Sequence, residues 1–147
     1  MPIKSFRGQI ADLSTDVISL HTNTGSTGYR IVKLQLMAAL PGAQTQESVL
    51  KIYKIPQTAA SNTIDFEDQT LLAAAYIENH DGTSAGFSNF TNAVIFDNEI
   101  FNQDIFITMA AGSGAGTDGV NYYFELEQIK LDLNENTVAT LKDIRNI

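Results

Sequence analysis

Cysteine and tryptophan are absent from this chain, histidine occurs twice and proline three times. Without cysteine there is no disulfide framework, no thiolate-held zinc or iron–sulfur group and no thiol nucleophile, so the fold must rest on its core. The two histidines, His21 and His80, stand far apart and make a thin case for a metal site. Basic residues are scarce as well, with 9 Lys and Arg against 17 Asp and Glu and a formal charge of −8. Tracking a nucleic-acid backbone needs clustered cations that release counterions, and this composition points away from it. No run of about 18 apolar residues is present to span a bilayer, so no membrane partner is expected. The opening MPIKSFRGQIADLS lacks the apolar stretch of a signal peptide, and no secretory leader is expected. What remains is an acidic chain of 147 residues, 44% of them hydrophobic. Chains of this size bury roughly 68–70% of their unfolded surface, enough for one core, and a single domain over 1–147 is expected.

Apolar residues recur mainly with a period of two, in segments separated by Gly, Ser, Thr and Asn, which is the pattern of strands and turns. In 29–37, Val32, Leu34 and Leu36 share a face opposite Lys33 and Gln35. In 48–54, Leu50 and Ile52 point one way and Val49, Lys51 and Tyr53 the other, and Pro56 ends the strand by removing a ladder donor. Segments 3–10 and 16–22, joined by the turn-like ADLST and followed by NTGSTG, read as a hairpin or meander. The run TLLAAAYIE at 70–78 is read as a buried strand, with a short helix as the alternative that its Leu and Ala content allows. Further strands are expected at 91–97, 104–109 and 120–133, the last being the longest. Within it Tyr122, Phe124 and Leu126 share one parity and Ile129, Leu131 and Leu133 the other, which predicts a bulge or a change of sheet near Glu127–Gln128. The end, 134–147, is read as a short helix bearing Val138, Leu141 and Ile144, or as an extended tail. About eight short strands predict an all-β fold, a single jelly-roll-like β-sandwich.

Motifs that resemble catalytic signatures lack their context. GTSAG at 82–86 matches the nucleophile elbow around Ser84, but loop and strand follow where a helix is required, and both histidines precede the serine. GAGTDG at 114–119 has the dinucleotide-binding spacing but opens a strand, so it reads as an inter-strand loop. Acidic clusters at 65–68 and 97–104, including Asp97 and Glu99, have the oxygen donors a calcium ion takes but not the EF-hand spacing, and solvated strand edges explain them better. No catalytic residue, cofactor or metal ligand is therefore assigned, and no enzyme activity is expected. One asymmetry stands out: residues 1–10 carry Lys4 and Arg7 and no acid, leaving −10 for positions 11–147. That segment is either a basic arm, with Lys4 and Arg7 contacting an acidic partner, or an edge strand guarded by cations. Strand parity turns Tyr29, Tyr53 and Tyr123 outward as candidate interface aromatics.

The strings IFDNEIFNQDIFI (95–107), NYYFELEQIKLDLNENTVATLKDIRNI (121–147) and MPIKSFRGQIADLS resemble a group of small proteins of marine tailed bacteriophages. The resemblance carries no catalytic or binding motif. By class and size it implies a virion structural protein, similar to the capsid decoration (cement) proteins that bind the outer head lattice, often as homotrimers. The implied partners are the major capsid protein and further copies of the chain, and the implied location is the capsid surface after synthesis in the host cytoplasm. The alternative is a tail-fibre or adhesin module that binds carbohydrate through its Gly- and Asn-rich loops.

Overall fold

The alternation of apolar and polar side chains resolves into eight antiparallel strands in a computed structural model that describes residues 2–20, 26–40, 46–79, 89–96, 99–112 and 119–131. They are β1 (Ile3–Ile10), β2 (Ser14–Ile18), β3 (Thr27–Ala38), β4 (Gln46–Tyr53), β5 (Leu71–Asn79), β6 (Asn89–Ile95), β7 (Ile105–Ala111) and β8 (Val120–Lys130). The expected buried strand at 70–78 is β5, and the longest strand is β3 rather than β8. The expected helix or tail at 134–147 lies outside the described residues.

Two sheets pack face to face, a three-stranded one in the order β1-β8-β3 and a five-stranded one in the order β2-β7-β4-β5-β6. Their inward side chains, among them Ile10, Ile31, Leu50, Ile52, Ile107, Phe124 and Leu126, form one core. β1 and β2 do not make the expected hairpin. β1 pairs with β8 and β2 with β7, so the Ala11–Leu13 corner carries the chain from one sheet to the other. Leu13 adopts a left-handed conformation there (φ 57°), and the Asp12 carboxylate accepts the Ala111 N–H at 2.7 Å, tying the corner to β7.

A one-residue bulge in β3 changes which side chains enter the core. The register with β8 runs Ile31 to Leu126 and then Lys33 to Glu125, so Val32 is the extra residue and projects to solvent. Leu34, Leu36 and Ala38 point inward on one side of it, Tyr29 and Ile31 on the other. The expected inward placement of Val32 and outward placement of Tyr29 are thereby both reversed, and Tyr29 is 4% exposed, its ring stacked on Phe101 at 6.4 Å. β8 has no bulge near Glu127–Gln128 in its register with β1 or β3. Leu131 is buried instead against Gly28, where a Cβ would lie 3.1 Å from Leu131 and 3.0 Å from Ile100.

The middle of the outer face of the five-stranded sheet is covered by the chain itself, while Val17 on β2 and Asn92 on β6 stay exposed. Residues 54–70 lie over it, closed at their base by a bond from the Lys54 N–H to the Thr70 carbonyl. Under this strap Tyr53, Leu71 and Ala74 form a second small core with Phe96, whose ring meets that of Phe66 edge-on at 4.8 Å. Tyr53 therefore takes the expected side of β4 and is nonetheless 8% exposed. Lys51 on the same face is buried, its Nζ donating to the Ser61 hydroxyl at 3.2 Å and the Thr63 carbonyl at 2.5 Å. Burial lowers its pKa, and the Asp68 charge opposes that shift.

Gly8 has no side chain because Tyr122 occupies the space. A Cβ there would lie 2.6 Å from the Tyr122 hydroxyl, which donates across to Asp16 at 3.3 Å. Burial first, then the Asp16 charge and this bond, push the Tyr122 pKa up to about 12 from 10.0. The unfolded chain loses this proton near pH 10 and the folded chain keeps it to about pH 12. The stabilisation is therefore complete below pH 10 and lost as pH rises through that window. Lys51 has the opposite sign, since its lowered pKa favours the fold increasingly as pH approaches 10.5. Urea denaturation from pH 9 to 11.5 is expected to show the stability gap between wild type and Tyr122→Phe closing with pH. A gap constant over that range would remove the assignment.

Candidate functional site

With the middle of the other sheet's outer face under the strap, the outer face of the three-stranded sheet is the broader surface left open among the described residues. Register fixes its rows: Ile3, Glu127 and Arg30; Ser5, Glu125 and Lys33; Arg7, Tyr123 and Gln35; Gln9, Asn121 and Met37. Arg7 and Tyr123, singled out for separate reasons in segments 116 positions apart, are direct cross-strand partners. Gln35 faces Tyr123 from the other side, and the Lys33 ammonium sits 5.9 Å from its ring centroid. The Tyr123 hydroxyl donates to Glu125 at 2.5 Å, and this bond is the main reason its pKa is raised, with desolvation and the Glu125 charge adding and a bond with Ser5 opposing. A phenol held this way is a fixed platform, which lowers the entropy cost of using it as a contact.

Charge is partitioned across the same face. Glu127 accepts both Arg30 Nε (3.0 Å) and Nη2 (2.8 Å). Arg7 and Lys33 have no carboxylate within salt-bridge distance among the described residues; Lys4, on the other face of β1, rests 5.5 Å from the Phe6 ring centroid. β1 is an edge strand paired with β8 along its length rather than a loose arm, so Arg7 is presented on a rigid ladder, and Lys4, in register with Leu126, stands on the opposite face from it. Tyr29 and Tyr53 are not part of this surface, one being in the main core and the other under the strap. Lys33 and Gln35 are the residues that sequence alone missed. Their polar parity marks them as outward, but only the pairing with β8 places them beside Tyr123.

The acidic clusters have structural work. The Asp65 carboxylate accepts the Glu67 N–H at 2.9 Å, and that of Asp68 accepts the Thr70 N–H at 2.8 Å and hydroxyl at 2.6 Å, two successive side-chain turns within the strap. Asp104 accepts the Leu20 N–H at 2.8 Å, and Glu99 is ion-paired to Lys54. Among the described residues no group of three His, Asp or Glu is placed to hold a metal ion, and no helix is long and apolar enough to cross a membrane. Ser84, His21, His80, Asp97 and most of the Gly-rich loop at 110–119 lie outside the described residues. No protein-family model matches the chain, and no curated protein sequence matches it.

Proposed function

We propose that the chain is a non-enzymatic structural protein of a bacteriophage virion, a capsid decoration protein that sits on the outer head lattice as a homotrimer and stabilises it. The observation that carries this reading is the rigid, open sheet face on which Arg7, Tyr123, Lys33 and Gln35 converge. Tyrosine and arginine are the residue types that most often anchor interfaces, and cations with no carboxylate beside them among the described residues, on an otherwise acidic protein, suit an acidic protein surface. The phage-like strings and the jelly-roll winding support the same assignment. Contacts repeated over a lattice add through multivalency, so each need not be strong.

Purified particles are expected to contain the protein at a copy number commensurate with the head lattice. Arg7→Glu combined with Tyr123→Ala is expected to weaken attachment to heads at least about tenfold, a loss of about 1.4 kcal/mol, with little change in melting temperature. Recovery of the protein only from lysate, or at the tail tip with glycan binding, would replace the assignment. Undiminished attachment of the double variant would acquit the face.

A further inference from the structure

An eight-stranded jelly roll winds into four pairs: first with last, second with seventh, third with sixth and fourth with fifth. Three are made here, β1 with β8, β2 with β7 and β4 with β5. The fourth is not. β6 pairs with β5 and widens the larger sheet, leaving β3 at the margin of the smaller one. Among the described residues, the outer edge of β3 is met only by a single bridge from Tyr29 to Phe101. From Ile31 to Ala38 it presents main-chain groups to no described strand.

The sheets also part at this place. A groove of about 770 Å³ opens here, walled by Leu34, Leu36 and Tyr122, floored by Ala75, Thr91 and Ala93, and reaching Arg7 and Gly8 on β1. Ala75 and Ala93 are cross-strand partners, so the floor is lowest where two methyl groups stand side by side. Thr91 and Ala93 lie on the inner face of β6, yet both are exposed, because the three-stranded sheet does not reach over them.

We infer that this groove accepts an extended segment of a partner protein, which adds to β3 as a fourth strand in the position a sixth jelly-roll strand would fill. The edge of β3 that no described strand meets supplies main-chain hydrogen bonds, and the alanine floor leaves depth for every second side chain. The matching segment therefore alternates small or medium apolar residues, facing the groove, with polar ones facing solvent. An acyl chain could fill the same volume but would leave the β3 edge unbonded, which favours a peptide. Arg7, Gln35 and Tyr123 of the docking face also border this groove, while the inference rests on the β3 edge and the alanine floor and not on the docking reading.

The test uses the full chain and an array of octapeptides alternating Thr or Lys with Ala, Val or Leu, each beside a version with proline at its centre, which cannot complete a ladder. Saturable binding of members of the array is expected, at least about tenfold tighter than their proline versions. Bound peptide is expected to slow amide hydrogen exchange in 33–38, and Ala93→Phe, which fills the groove from an exposed position, to abolish binding with the melting temperature unchanged. The inference is overturned if no peptide binds, if proline versions bind equally, if Ala93→Phe binds as wild type, or if palmitate binds and no peptide does.

Discussion

Replacing Lys54 with methionine is expected to destabilise the protein by about 3–5 kcal/mol, a large share of the roughly 5–15 kcal/mol that holds an ordinary domain together. The Lys54 side chain is 1% exposed and its ammonium is ion-paired to Glu99, whose own side chain is 13% exposed. Methionine has a similar length and removes only the charge, so the Glu99 carboxylate remains in a poorly solvated position without that cation. Lys54 also closes the base of the strap through its backbone, so the damage is expected to spread to the small core around Tyr53 and Phe96. The double variant Lys54→Met, Glu99→Leu is expected to recover most of the loss, since removing both charges removes the desolvation penalty too. Urea denaturation of the two variants measures this. A double variant as unstable as the single one would show that the loss does not come from the Glu99 charge left without its cation.

Phe124→Ala is expected to cost a similar amount, about 3–5 kcal/mol, by opening a cavity at the centre of the smaller sheet. Phe124 is 0% exposed and stacks against Phe6 at 5.2 Å and Tyr122 at 5.9 Å. It lies on the middle strand, with Phe6 on one side and Leu34 on the other in register. A sheet only three strands wide has few inward positions and little room to collapse around a void. Phe124→Leu keeps most of the volume and is expected to lose less than about half as much. Calorimetry of both variants checks the ratio, and equal losses would point to ring stacking rather than volume as the source. Because Tyr123 is the next residue on the strand, Phe124→Ala is also expected to loosen the docking face, which attachment to particles would register.

The strand content and the sandwich were legible because a half-buried strand writes its orientation into every second residue. Where that alternation breaks, a single strand cannot say which partner absorbs the extra residue. Periodicity in β8 suggested a bulge near Glu127–Gln128, whereas the register shift falls at Val32 on β3. Parity extended from Leu34 and Leu36 back through that bulge turned Tyr29 outward and Val32 inward, and one extra residue accounts for both of those errors. Tyr53 failed for another reason. Its side of the strand was right, but the cover comes from a strap without periodicity, whose signal was the presence of Ile64 and Phe66 among polar residues. Of the docking face, Arg7 and Tyr123 were legible singly, whereas Lys4, in register with Leu126, stands on the other face of β1. The adjacency was not legible, because Arg7 and Tyr123 meet through a pairing between the first strand and the last.

That pairing governs when the fold can form. β8 is the middle strand of its sheet and the last of the eight to leave the ribosome, so β1 and β3 have no common neighbour until almost all of the described chain has been synthesised. In the larger sheet β4, β5 and β6 can pair as they emerge, but β2 must likewise wait for β7 before it joins them. Folding is thus delayed to the end of translation and depends on contacts between distant segments, the class that forms slowly and leaves strand edges exposed meanwhile. Lysines at β1 and β3, Lys4 and Lys33, stand on those waiting strands, where a charge discourages the wrong neighbour before the right one arrives.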